Sequence, residues 1–288
     1  MDLFLQFAAP ALAGIFVGVM SGLLGVGGGT IMVPIFRLAF GMSPLASTAT
    51  SLFAIIPTSI SGVASHMRAK TCVPKLGVAL GIGGALTSPV GVWLASVSPG
   101  WLVIVVAALV VGLSAYKMFK KALKAPRVAL SRTAHTADAA ATGALADASE
   151  PASSNSIPAQ PNLTRKHYLQ GAGIGLVAGL ASGYVGVGGG FIMVPMMLAI
   201  LSIPMSLAAG TSLIAIMILA IPGVIEQAIL GNINYFAGIS IVVGTIPGAV
   251  IGARLVRVIP ERQLRFAFGG FLLVAAVLLM LNEFGILG

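Results

Sequence analysis

Long stretches of this sequence carry almost no charge, and their lengths leave few folds open. Apolar runs of 17 to 25 residues recur through both halves of the chain. An α-helix needs about that many residues to cross about 30 Å of hydrocarbon at about 1.5 Å per residue. Only 8% of the residues are charged and 58% are hydrophobic, whereas a soluble domain has about 25% charged residues. The expectation is an all-α polytopic membrane protein, multi-pass in the plasma (inner) membrane. Residues 3–24 read as a retained span rather than a cleaved signal, because Asp2 and not a basic cluster precedes them.

The net charge of +9 would point to nucleic acid in a soluble protein. Here the basic residues stand at the ends of apolar runs, where they set topology and meet lipid headgroups, so no nucleic-acid partner is expected. The single cysteine, Cys72, rules out an internal disulfide and a cysteine metal cluster. No His, Cys and Asp set has metal-ligand spacing, so neither metal nor cofactor is expected. No Ser/His/Asp set points to hydrolysis, and the chain does not read as an enzyme.

The sequence is also a duplication. Offset by 161 residues, the step from Gly25 to Gly186, it matches itself without a gap from Ala11 to Pro99. The strongest block pairs Gly25-Val26-Gly27-Gly28-Gly29-Thr30-Ile31-Met32-Val33-Pro34 with Gly186-Val187-Gly188-Gly189-Gly190-Phe191-Ile192-Met193-Val194-Pro195, and nine of the ten positions agree. Ser21-Gly22 falls on Ser182-Gly183, and Thr50-Ser51-Leu52 on Thr211-Ser212-Leu213. Glycines, prolines and hydroxyls held in register do not arise from apolar composition alone. The expected units are a first transmembrane repeat, residues 1–122, and a second, residues 165–288. Between them, residues 123–164 are rich in Ala, Ser, Thr and Pro and read as a disordered linker.

Basic residues orient the repeats. Lys117, Lys120, Lys121, Lys124, Arg165 and Lys166 flank the linker, which places it in the cytoplasm. In the first copy the next basic turn holds Arg68, Lys70 and Lys75; in the second it holds Arg254, Arg257, Arg262 and Arg265. These two turns are not equivalent positions of the repeat. That opposition is expected of two inverted structural repeats. Each would be a glycine-tipped helix hairpin, spanning fully or re-entrant, followed by three transmembrane helices.

Successive glycines inside a span cost about 1 kcal/mol each against alanine, so a backbone break is expected at Gly27-Gly28-Gly29 and at Gly188-Gly189-Gly190. Broken backbone at membrane depth survives where it is packed in protein or faces a watery cavity. The short helix after each break presents free amides and a positive dipole end, which suits an anion. Thr30 sits in the first of these ends. The hydroxyl pairs Thr50-Ser51 and Thr211-Ser212 are candidate donors in the same cavity, or bond their own helix backbone. Arg37, His66, Arg68, Glu226 and Gln227 are candidate gating or anion-attracting groups. The last four lie near span ends, close enough to the interface to be solvated. GVGGGT lacks the lysine of a P-loop, which argues against a nucleotide site.

The duplicated GVGGGxIMVP block, opening a unit of several spans on either side of a variable linker, resembles the sulfite exporter TauE/SafE family, also called toluene sulfonate uptake permeases. The resemblance covers both repeats. It implies a secondary transporter moving a small sulfur-containing anion, such as sulfite, sulfoacetate or another sulfonate. Lipid bilayer and small anion are then the expected partners, with protons a candidate coupling ion and oligomerisation open. A passive anion channel, or a scaffold or assembly factor with no solute path, stands as the alternative.

Overall fold

A computed structural model describes residues 2–124, 164–185 and 188–283. Nearly all of the expected linker lies outside the described residues, as do Gly186 and Val187. The described residues form ten α-helices and no strand: α1 (Asp2–Leu24), α2 (Gly29–Phe40), α3 (Pro44–Arg68), α4 (Pro74–Val97), α5 (Gly100–Lys124), α6 (Arg165–Val185), α7 (Gly190–Met196), α8 (Met205–Ile229), α9 (Tyr235–Leu255) and α10 (Glu261–Glu283). A π-helical turn, Met197–Leu201, extends α7. Among the described residues, Leu45–Arg68, Pro74–Leu94, Met205–Ile229 and Tyr235–Leu255 are each long and apolar enough to cross a membrane.

Local chemistry sets several helix starts. The Ser43 hydroxyl accepts the Ala46 amide at 3.3 Å ahead of Pro44, whose missing N–H costs nothing at a first helical position. Asn234 caps α9 by accepting the Ala237 amide at 3.1 Å.

Small residues decide which helices touch. Gly14, Gly18 and Gly22 form one stripe on α1, and Gly244, Gly248 and Gly252 one on α9; a β-carbon at any of the six would run into the facing backbone. In the same way Gly83 and Gly91 on α4 lie on the backbone of α6, and Gly175, Gly179 and Gly183 on α6 lie on the backbone of α4. Lipid tails give apolar side chains no reason to prefer protein, so close backbone approach through small residues supplies the attraction. Hydroxyls reinforce these seams: Ser61 donates to the Ile246 carbonyl at 2.8 Å, and Thr87 to the Leu176 carbonyl at 2.7 Å.

Contacts between the copies come in exchanged pairs. Gly62 of α3 lies under Leu213 of α8, and Gly223 of α8 under Leu52 of α3. Gly77 meets Ile214 while Gly238 meets Phe53. The Asn234 amide donates to the Thr50 hydroxyl at 3.0 Å, and the Val73 amide to the Thr211 hydroxyl at the same 3.0 Å. Each pair maps onto the other through the offset found in the sequence. Because Leu52 neighbours Gly223 and Leu213 neighbours Gly62, α3 and its copy α8 run antiparallel.

Packing also gathers the basic turns at one end. Gly210 of α8 rests on Thr71, the Met205 amide donates to Glu261 at 3.2 Å, and the Phe119 and Phe266 rings lie 6.0 Å apart. These contacts bring the turns bearing Lys70 and Lys75, and Arg254 to Arg265, together with the last turns of α5.

Candidate functional site: the meeting of two glycine tips

Helix α1 stops at Leu24 because the next backbone is left-handed: φ is 70° at Gly25, 81° at Gly27 and 77° at Gly28. The second copy repeats the bend, with φ of 91° at Gly188 and 67° at Gly189. A side chain in this region costs about 1–2 kcal/mol per residue, so the triplets enforce the break that the sequence leads one to expect. Gly29 opens α2 and Gly190 opens α7.

The two tips meet inside the protein. Gly190 lies against the Gly25 carbonyl and the Cα of Val26. Gly27 and Gly188 both face Ile55 and Ile216, which are themselves equivalent residues of the two copies. Residues 21–30 and 188–194 are all buried, with this isoleucine pair packed between the tips.

Within that apolar shell stand hydroxyls without partners. Ser21, Thr30 and Ser182 are 0%, 0% and 2% exposed, and no hydrogen bond reaches their side-chain oxygens. Ser21 sits beside the first tip: its Cβ is 3.6 Å from where a Gly28 β-carbon would be, and the matching figure for Ser182 and Gly189 is 3.2 Å. Thr30 is in the first turn of α2, beside the amides of Gly29 and Thr30 that a helix cannot satisfy itself. Gly18, one turn before Ser21 on α1, lies on Thr245, which shares a 2.6 Å hydrogen bond with Thr58. Ser21 and Ser182 stand at matched positions of the duplicated block. That match was the signal for them in the sequence, where they served to establish the repeat and not a site.

Carbonyls released by the break are also served. The Gly25 carbonyl accepts from Ser212 Oγ at 2.6 Å, the same hydroxyl lying 2.8 Å from the Ala209 carbonyl. The Gly22 carbonyl accepts from His66 Nε2 at 2.8 Å, while Nδ1 faces Thr71 Oγ1 at 2.7 Å. His66 is therefore fully buried. The solvated interfacial position expected for it does not hold, because packing of α3 on α1 carries its ring to the frayed end of α1.

The other expected site residues lie around this junction rather than in it. Thr50 and Thr211 accept the Asn234 and Val73 amides already described, and Thr211 also donates to Leu207 at 2.6 Å. Ser51 donates to the Thr48 carbonyl at 3.1 Å. Arg37 is half-buried in the last turn of α2, Arg68 is exposed, and Glu226 is half-buried near the end of α8. Gln227, buried, accepts from Asn232 at 2.8 Å, in the position that His66 and Thr71 take in the first copy. Between α3 and α4, burial pushes the Cys72 thiol pKa up. No group of three His, Cys, Asp or Glu side chains among the described residues is placed to hold a metal ion.

Two hairpins joined tip to tip in an all-helical, membrane-spanning chain narrow the comparison with known proteins. The sequence pattern of the sulfite exporter TauE/SafE matches residues 10–279. The chain belongs to this family. Among TauE/SafE relatives, the "Probable membrane transporter protein YunE" of Bacillus subtilis is 26% identical over 269 residues, 88% of this chain and 89% of that protein. The "Probable membrane transporter protein YdhB" of the same organism is 26% identical over 265 residues, 92% of this chain and 96% of its own. No solved structure matches. Membership in TauE/SafE makes this a multi-pass membrane protein of a transporter family, and Ser21, Thr30 and Ser182 give the tip junction unmet hydrogen-bonding capacity.

Proposed function

We propose that the protein is a secondary transporter of the plasma membrane that moves a small sulfur-containing oxyanion, sulfite, sulfoacetate or another sulfonate, by alternating access. The family supports the substrate class. The antiparallel run of α3 against α8 and the exchanged contact pairs support two inverted repeats. The gathering of basic turns at one end supports a cytoplasmic position for that end under the positive-inside rule. The 12 residues of α2 reach about 18 Å as helix against about 30 Å of hydrocarbon, which supports re-entrant tips.

One observation carries the site: Ser21 and Thr30 hold buried hydroxyls with no acceptor, beside the amide end of α2. Leaving a buried polar group unmet costs about 1–3 kcal/mol. A sulfite or sulfonate oxygen would take those hydrogens, together with the amides of Gly28, Gly29 and Thr30, while Gly188, Gly189 and Gly190 close the site from the opposite side. Neutral donors and a helix dipole bind such an anion without burying a formal positive charge. Ile55 and Ile216 fill the space between the tips, which weighs against a permanently open channel.

The test is uptake of sulfite into proteoliposomes by Ser21→Ala and Thr30→Val variants, each compared with the parent for thermal stability in detergent. The expected result is uptake affinity lower by about tenfold or more, the worth of a hydrogen bond to a charged group, with stability unchanged or raised because an unmet group has gone. Parental uptake kinetics in both variants would remove the tip site.

A further inference from the structure

The turns after α3 and after α8 occupy equivalent positions in the two copies and lie at opposite ends of the protein. Their backbones agree: Lys70 and Gly231, matched by the repeat, are both left-handed, with φ of 54° and 71°. Their surroundings do not agree. At the end away from the basic turns, a depression of about 500 Å³, broadly open at the surface, lies between Met42 and Ala46 on one side and the turn from Gly231 to Tyr235 on the other. At the basic end the matching space is filled: Ile203 is 3% exposed, Leu207 0%, Thr71 3%, Cys72 2% and Val73 6%. Asn234, the counterpart of Val73, is exposed, and Met42, Ala46 and Asn232 are half-buried.

The open cavity is joined to the tips by two helices. Helix α2 runs from the first tip to the cavity edge near Met42, and α3 leads from Ala46 past Thr50 to Ile55. The lining offers two carboxamides and a phenol and no acidic side chain, a chemistry that admits a small anion. The two ends share the backbone turn but not its side chains, with Ala46 and Asn234 at the open end standing where Leu207 and Val73 stand at the packed one.

Resting on the transporter reading, we propose that this cavity is the solute entrance on the non-cytoplasmic side. The packed group of Ile203, Leu207 and Thr71 to Val73 is the shut gate at the cytoplasmic end, and the two exchange during transport.

Cys72, the single cysteine of the chain, sits in the shut gate and is a built-in reporter. A membrane-impermeant maleimide is applied to each face of vesicles holding the parent, or holding an Ala46→Cys variant in a Cys72→Ser background whose uptake has been measured. Sulfoacetate is the probe, since sulfite itself consumes maleimide. Without it, the thiol at position 46 reacts from the outside and Cys72 reacts slowly from either face. With it, Cys72 labelling from the cytoplasmic face rises several-fold and labelling at position 46 falls. Leu207→Ala, which copies the open end, raises Cys72 labelling on its own and keeps the response to sulfoacetate. Saturable uptake with reporters that never shift would overturn the gate and leave the transporter standing. Absence of uptake for every sulfur oxyanion tried would remove the transporter reading, and this proposal with it.

Discussion

At the first glycine tip Thr30 carries a hydroxyl with nothing to bond, and at the second the same position is Phe191, fully buried with its ring in the core. The backbones around them bend alike, and both serines behind the bends lack partners. Beyond that the second copy is the more apolar: Thr58, Ser59 and Arg37 of the first correspond to Leu219, Ala220 and Leu198. The duplicated unit thus keeps its fold in both copies and concentrates its polar chemistry in one. A substrate held at such a junction would be gripped by the first tip and braced by the second.

The largest expected effect breaks the brace. Phe191→Ala removes a buried ring and should destabilise the protein by about 3–5 kcal/mol, read as a fall in the detergent melting temperature. Thr30→Ala, at the matching position, should cost far less. Equal losses at the two positions would mean that the tips play the same part.

Alanine at the bends tests the shared backbone next. Gly28→Ala and Gly189→Ala each incur the left-handed cost of about 1–2 kcal/mol. The β-carbon at Gly28 would also press within 2.9 Å of Val17, whereas at Gly189 the nearest atom is 3.2 Å away, on Ser182. Gly28→Ala should therefore be the more damaging in folded yield and melting temperature, and the reverse order would contradict the packing described for the first tip.

Where the copies match, effects should match. Thr50→Val and Thr211→Val each strip the acceptor from one backbone amide and should each cost about 1–3 kcal/mol without changing the apparent affinity for sulfite. A large affinity change at either would return these hydroxyls to the substrate path.

Much of this is legible in the sequence. The apolar runs announced the spans, the glycine triplets announced the bends, and the offset of 161 between Gly25 and Gly186 turned out to govern even single contacts such as Asn234 to Thr50. What sequence could not show was which partner each group finds in space. Thr50 reads as a donor toward a cavity, and its oxygen also accepts an amide from far along the chain. His66 reads as a residue near a span end, yet caps a carbonyl freed by the break in α1. The glycine stripes of α1 and α9 have the four-residue spacing of tight helix pairs, but their pairing across copies depends on topology that spacing does not carry. The inequality of the two ends follows residues that differ between the copies, Ala46 against Leu207 and Asn234 against Val73, but the space each leaves depends on what packs against it.

The smallest effect expected on stability is the finest measure of the comparison. Ser21 and Ser182 are matched, buried and unpartnered, so removing either hydroxyl should leave stability unchanged or raise it slightly. They differ in company. Ser21 has Thr30 and the 12-residue helix α2 beside it, whereas Ser182 has Phe191 and a helix of 7 residues before the π turn. An anion drawn to hydroxyls and helix amides would sit nearer the first, and Ser21→Ala should weaken sulfite uptake clearly more than Ser182→Ala. If Ser182→Ala proves as costly as Ser21→Ala, the anion is shared evenly between the tips, and the difference between Thr30 and Phe191 concerns packing alone.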